Sequence, residues 1–225
     1  MKKYSIKGIL FDMDGVLVDS NAEVEKFWRA WARKENVIIT DQIIAEHIYG
    51  RTTIDTINEL FRHSDTAVKE KIIQDALVFD RNLNPILMQD AARFVSEIAS
   101  AFQKIAVVTS APLERTQKIL QLNKIEQFFS NCVTGDEITR GKPDPEPYLM
   151  GAAKLQLQPA ECLVFEDSNS GIISAVTAGM YVIAFNNESY LHESVIVHIN
   201  NYTNLSVHNN VLNIGTDEVR INLLT

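Results

Sequence analysis

The chain has 225 residues, 46% hydrophobic and 22% charged, the balance of an ordinary soluble globular protein with one large domain or two modest ones. A formal charge of −8 and a pI near 5.1, with no basic run, argue against a nucleic-acid surface. No apolar run approaches the roughly 20 residues that span a bilayer, and no long apolar region follows the basic Met1-Lys2-Lys3. Neither a membrane segment nor a signal peptide is expected.

The first element is an apolar run, Ile9-Leu10-Phe11, which reads as a buried strand. It stops at Asp12, Asp14 and Gly15. Side chains two apart on extended backbone point the same way, so both carboxylates can face one volume beyond the strand's carboxyl end. In an open α/β sheet that is where ligands bind. A helix follows, with Val24, Phe27, Trp28, Trp31 and Ala32 on one apolar face. Asp41 is positioned to cap a second helix reaching about Tyr49, and Gly50 breaks it. A third helix starts after Thr52 or Thr53, with Ile54, Ile57, Leu60 and Phe61 on one side. A fourth opens at Asp65, repeats apolar residues from Val68 to Phe79, and ends before Pro85.

From about residue 86 helices and strands alternate. A helix over 91–101 leads to the strand Lys104–Thr109. Pro112 fits the first turn of a helix running to Leu122. The strand Cys132–Thr134, a helix over 147–155, the strand Leu163–Phe165, a helix over 169–178 closed by Gly179, and the strand Tyr181–Phe185 follow. The register implies a mainly parallel sheet with helices on both faces. In the Asn-rich tail, Val195–Ile199 reads as a further strand. Val211–Ile214 and Val219–Leu223 read as a hairpin around Gly215-Thr216-Asp217. Cys132 and Cys162 show no CxxC spacing and adjoin apolar runs, so both read as reduced, buried thiols of a cytoplasmic protein.

Three more strand ends belong with Asp12 and Asp14. Thr109-Ser110 sets hydroxyls and free backbone N–H groups at a strand-to-helix junction, suited to a phosphate oxygen, although Ser110 fits a helix cap equally well. In Gly141-Lys142-Pro143-Asp144-Pro145 two prolines stiffen a loop able to hold Lys142 over the strand ends; taken alone, such a lysine is more often merely solvated. In Phe165-Glu166-Asp167-Ser168 an apolar strand again runs into adjacent carboxylates, where Asp167 or Ser168 also suits a helix cap. Together, Asp12, Asp14, Glu166 and Asp167 meet at one sheet edge. Four crowded carboxylates repel, and oxygen ligands select a hard cation such as Mg²⁺. A cation, a lysine and a hydroxyl donor suit a phosphoryl group.

The motifs DMDGVLVDS, IAVVTS, GKPDPEPY and VFEDSNSG, in this order and spacing, resemble those of the haloacid dehalogenase superfamily of phosphotransferases, in the branch with a helical cap inserted after the first strand. The resemblance covers roughly residues 5 to 200. Within the family the chain is most similar to sugar-phosphate and polyol-phosphate phosphatases. The resemblance implies a Rossmann-like α/β core, residues 1–18 and 86–225, with a four-helix cap over 19–85. It implies Asp12 as nucleophile, forming an aspartyl-phosphate, ionised at neutral pH if its pKa is ordinary. Asp14 is implied as general acid and base, with a pKa raised by neighbouring carboxylates. Thr109 and Lys142 are implied to hold the transferring phosphoryl oxygens. Mg²⁺ is implied on Asp12, Asp167 and the backbone carbonyl of Asp14, with Glu166 as a ligand or a partner behind it.

Two departures separate this chain from the family's sugar phosphomutases, the runner-up reading. Those carry a cap histidine where this chain has Val24, and a cap-loop arginine where it has Thr53. The dehalogenases lack the second aspartate that Asp14 provides. A non-catalytic module binding a phosphorylated ligand is the alternative from another class, and the intact Asp12 and Asp14 speak against it. In the cap, Arg51 is the candidate to reach substrate, beside Ser110 from the core, although a solvated loop arginine is equally expected. Trp28 and Trp31 suit stacking on a sugar, but their apolar stripe makes core packing the better account of at least one. Glu23 and His47 are weaker candidates with ordinary surface roles as the default. The expected protein is a Mg²⁺-dependent phosphatase of a small phosphorylated metabolite, with no nucleic-acid or membrane partner, acting as a monomer or weak homodimer.

Overall fold

The chain opens with two short strands, β1 (Ser5–Ile6) and β2 (Gly8–Phe11), the second wholly buried. In this computed structural model residues 4–188, 190–215 and 219–223 are described, Val219 and Arg220 by backbone alone. Four helices follow with no strand of either sheet between them: α1 (Asn21–Lys34), α2 (Asp41–His47), α3 (Thr53–Leu60) and α4 (Thr66–Asn82). Then come α5 (Ala91–Ala101), β3 (Ile105–Val108), α6 (Leu113–Leu122), β4 (Asn131–Val133), α7 (Glu146–Lys154), β5 (Cys162–Glu166), α8 (Asn169–Thr177), β6 (Tyr181–Phe185) and β7 (Val195–Ile199). The tail adds β8 (Leu205–His208), β9 (Val211–Ile214) and β10 (Val219–Leu223).

Six strands form one parallel sheet in the order β4-β3-β2-β5-β6-β7. β2 lies between β3 and β5, with Phe11 opposite Val107 on one side and Phe165 on the other. Side chains alternate between faces. Ile9, Phe11, Leu163 and Phe165 enter one apolar cluster with Phe94 of α5, while Leu10, Val164 and Val182 enter another with Tyr148 of α7 and Ile172 of α8. Burial on both faces explains why these strands read as unbroken apolar runs.

The helices α1–α4 bury a third cluster of their own, built on Trp28, Trp31, Ile44, Ile48, Ile57, Phe61 and Ile72. Both tryptophans pack there. Thr52 and Asp65 cap α3 and α4, accepting from the N–H groups of Asp55 and Val68. Two details differ from the sequence expectation. Thr40, one residue before Asp41, caps α2 by accepting from Ile43 N–H at 3.2 Å, because it has the extended backbone a cap requires. Ile54 is 50% exposed although it shares a helix face with Ile57 and Phe61, since it lies in the first turn of α3, at the end of that stripe.

The tail forms a second sheet, β1-β10-β9-β8. β9 and β10 pair antiparallel as the alternation implied; Thr216 and Asp217 of the expected turn lie outside the described residues. β10 pairs parallel with β1, an N-terminal strand too short to show periodicity. Fully buried Tyr202, just before β8, stacks on Phe94 with ring centres 5.1 Å apart and donates from its hydroxyl to Val16 O at 3.1 Å. No helix among the described residues is long and apolar enough to cross a membrane.

Cys162 is buried in β5 and Cys132 half-buried in β4. Burial, with a smaller push from nearby carboxylates, raises the thiols to about 12 and about 11. Thiolate is the reactive form, so at pH 8 both thiols stay protonated in the native protein. Alkylation by iodoacetamide, followed by mass spectrometry, is expected to be slow at both cysteines until the protein is denatured.

Candidate active site

The site sits where β2, β3 and β5 end together. The register carries each strand's next residue to the same edge: Asp12 after Phe11, Thr109 after Val108, and Glu166 and Asp167 after Phe165. The strand pattern extends through Asp12, whose N–H donates to Phe165 O at 3.0 Å. Gly15 turns the chain away with φ of +74°, and a Cβ there would lie 2.0 Å from Asp167 Oδ2. Only glycine meets both demands.

Lys142 is fully buried. Its Nζ donates to Asp12 Oδ1 and Glu166 Oε1, each at 2.6 Å, and to Val108 O at 3.2 Å. It also lies 5.0 Å from the Tyr148 ring centre. All three ammonium hydrogens are thus engaged within the protein. The solvated-lysine alternative is excluded. Lys142 is thereby fixed beside Asp12, the carboxylate it was expected to accompany at the strand ends. Burial alone would lower the lysine's pKa, but the Asp12 and Glu166 carboxylates outweigh it and hold the charge.

Glu166 is saturated. Oε1 accepts from Lys142 and from Tyr148 OH at 3.0 Å, and Oε2 accepts from Ser168 N–H at 2.9 Å and Ser168 Oγ at 3.0 Å. It therefore anchors the lysine from behind. Ser168, not Asp167, caps α8 by accepting from Gly171 N–H. Asp167 Oδ2 accepts from Asn21 Nδ2 of α1 at 2.7 Å.

Oxygens of Asp12, Glu166 and Asp167 lie within 4.8 Å of one another. Burial pushes Asp12 up to about 7, with Glu166 and Asp14 adding to the rise and Lys142 opposing it. An ordinary, fully ionised Asp12 was expected; its burial at the strand end is what differs. Burial, then the charges of Glu166 and Asp12, push Asp167 well above the usual carboxylate range. Burial and mutual repulsion thus disfavour full ionisation of the cluster beside a single lysine, and one hard divalent cation on these all-oxygen donors would offset both.

Asp14 turns elsewhere. Its Oδ1 accepts from Ser20 Oγ and from Arg115 Nη2 of α6. Its side chain is tied to Ser20 and α6, outside the Asp12, Glu166 and Asp167 cluster, while its charge still acts on Asp12 in the shared cleft. Arg115 also donates from Nη1 to Asp80 of α4 at 3.2 Å. Burial, and then the nearby charge of Asp14, raise Asp80 to about 6 against the pull of Arg115. Neither Arg115 nor Asp80 carried a motif; an arginine 101 residues from Asp14 and a helix-end aspartate give no local signal.

The loop after α2 closes over this edge. Ser110 Oγ donates to Gly50 O at 2.8 Å, and Ser170 Oγ to Tyr49 O at 2.7 Å. Ser110 thus neither caps a helix, α6 starting after Pro112, nor keeps its hydroxyl hydrogen free for a phosphate. Gly50 has φ of +71°, and a Cβ there would lie 2.3 Å from Ser168 Oγ, so this close approach also requires glycine. Asp12, Asp14, Thr109, Ser110, Arg51 and Arg115 share one cleft with Trp28 and Phe79. Thr109 Oγ1 accepts from Ala111 N–H at 3.1 Å, which leaves its hydrogen to donate. Glu23 is exposed and His47 half-buried beside Glu46, and neither lines this cleft.

The chain is 35% identical to hexitol phosphatase A of Escherichia coli, over 80% of this chain and 83% of that protein. It is 31% identical to a phosphorylated carbohydrates phosphatase of Thermotoga maritima, over 78% and 82%. Its fold matches a β-phosphoglucomutase structure from Clostridium difficile with a TM-score of 0.75, over 87% of this chain and 91% of that one, at 18% identity. The family model for haloacid dehalogenase-like hydrolases matches residues 9–185, the span holding every strand end of the site. With that match and two relatives above 30% identity, this chain belongs to the haloacid dehalogenase-like hydrolase family.

Proposed function

We propose that this protein hydrolyses the phosphate monoester of a small sugar or polyol, with Mg²⁺ held by Asp12 and Asp167 and an aspartyl-phosphate formed on Asp12. The observation that carries the reading is the buried Lys142 bridging Asp12 and Glu166. A buried ammonium is costly unless paired, and this one fixes a buried carboxylate that lines a cleft. The phosphatase relatives act on hexitol phosphates and phosphorylated carbohydrates by name, which supports the substrate class.

The steps follow from the residues. Lys142 orients Asp12, whose carboxylate oxygen attacks the phosphorus as the ester P–O bond breaks. Asp14 gives a proton to the departing alkoxide oxygen. Ser20 and Arg115 both bind Asp14 Oδ1, which leaves Oδ2 for the proton. Asp14 then takes a proton from water as the water oxygen attacks the phosphorus. The bond between Asp12 and phosphorus breaks, and inorganic phosphate leaves with Asp12 restored. Thr109 donates to a phosphoryl oxygen throughout. When bound, Mg²⁺ supplies positive charge to the phosphoryl oxygens and offsets the carboxylates. Val24 and Thr53, which stand where the family's mutases carry histidine and arginine, both line the cleft and favour water as acceptor.

A panel of hexose, pentose and polyol phosphates assayed for phosphate release tests this reading. Release is expected with Mg²⁺, to vanish with EDTA, and to be abolished by Asp12→Asn with the fold retained. Near-wild-type release from Asp12→Asn, or isomerisation in place of release, would sink it. Lys142→Ala removes the counter-charge of two buried carboxylates. It is expected to lose activity and about 3–5 kcal/mol of stability, seen as a melting temperature roughly 10 °C lower.

A further inference from the structure

Asp14, the acid of the proposed reaction, is held through one oxygen only. Its Oδ1 accepts from Ser20 Oγ and from Arg115 Nη2, and its Oδ2 accepts no hydrogen bond among the described residues. Arginine and carboxylate pair by preference as a fork, with two parallel N–H···O bonds. Here the fork is not made, because Arg115 Nη1 donates to Asp80 at 3.2 Å. Arg115 Nε is buried with no partner among the described residues, so the guanidinium is held only at its two terminal nitrogens. Arg115 and Asp80 are both buried, while Asp14 keeps some exposure in the cleft. Asp14 and Arg115 belong to the core, after β2 and on α6; Asp80 belongs to α4 of the helical layer.

We propose that Asp80 is a positioning residue for the acid: by occupying Arg115 Nη1 it keeps Arg115 from closing the fork on Asp14, and so leaves Asp14 Oδ2 free to carry the proton. This inference rests on the phosphatase reading. When α4 lies on α6, Asp80 takes Nη1 and Asp14 is bound at Oδ1 alone. When α4 lifts away, Nη1 loses its acceptor. A buried donor without a partner is costly, and a turn of the guanidinium brings Nη1 to Oδ2. Charge acts in the same direction, since a guanidinium shared between two carboxylates moves to the one that remains. The acid is then tied at both oxygens and withheld from the leaving group. Proton delivery to the departing alkoxide is thereby confined to the state in which the helical layer covers the cleft and excludes water.

Phenyl phosphates with ring substituents of graded electron withdrawal share a shape and differ in how much the leaving oxygen needs a proton. For this series and a hexitol phosphate, kcat/KM, which reports transfer to Asp12, is measured with Mg²⁺ on the unaltered protein, on Asp80→Ala, and on Asp80→Ala combined with Arg115→Lys. Asp80→Ala is expected to lower kcat/KM about 10- to 100-fold for the hexitol phosphate and progressively less toward p-nitrophenyl phosphate, so that the dependence on the leaving group steepens. Lysine offers a point charge in place of a fork, so adding Arg115→Lys is expected to return the dependence to that of the unaltered protein. In a crystal structure of Asp80→Ala, Arg115 is expected on both oxygens of Asp14. A uniform loss across the series, a dependence that Arg115→Lys leaves steep, or Arg115 still on Oδ1 alone overturns the proposal. Should Asp80→Ala not fold, Asp80→Asn decides: its amide oxygen is a weaker acceptor for Nη1, so a smaller steepening is expected, and an unchanged series overturns the proposal. Hydrolysis without this pattern defeats this inference alone. Absence of hydrolysis of every one of these esters by the unaltered protein defeats the phosphatase reading with it.

Discussion

The contact on which the site depends is the buried ammonium of Lys142 between Asp12 and Glu166. Two carboxylates at neighbouring strand ends, both removed from water, repel unless a cation stands between them. Lys142 comes from the loop before α7, and Tyr148 on that helix secures Glu166 from below. The register does the rest. Phe11 opposite Phe165 sets Asp12 beside Glu166, and a slip of one residue would turn both carboxylates to the other face of the sheet. The apolar strands therefore bury surface and also fix the spacing of charge at their ends.

The helical layer meets the core through a different kind of contact. Its own apolar residues face inward to the cluster around Trp28 and Phe61. Toward the core it presents polar links: Ser110 to Gly50, Ser170 to Tyr49, Arg115 to Asp80, and Lys118 to the carbonyls of Arg81 and Leu83. Links of this kind exchange readily for water, whereas a shared apolar core would not separate without large cost. A layer that must admit a substrate and then exclude water is suited by such an interface.

The tail braces the core at a distance from the chemistry. The second sheet joins the first strand of the chain to the last, and Tyr202 reaches from it to the carbonyl of Val16, just after the turn that carries Asp14. The same ring packs on Phe94, Phe165 and Phe185. Packing of this kind holds the backbone after β2 in place without any polar contact to the site.

Much of this protein was legible in its sequence because the signals are local. Apolar runs of four or five residues ending in Asp12, Thr109 and Glu166 mark buried strands with chemistry at their tips, and helical spacing from Val24 to Ala32 marks an amphipathic helix. Those patterns determined the parallel core, the four inserted helices, and the residues now seen together at one edge. What only the tertiary structure decided involves partners far apart in the chain. Asp14 pairs with Arg115, Glu166 is saturated by donors from the loop before α7, from α7 itself and from Ser168, and Ser110 is spent on Gly50. Asp12 departs from an ordinary aspartate because of burial, which no residue type announces. The short β1 finds β10 across nearly the whole chain. Local pattern sets which backbone forms and where it stops; charge pairing and desolvation depend on three-dimensional neighbours, and only the folded chain supplies them.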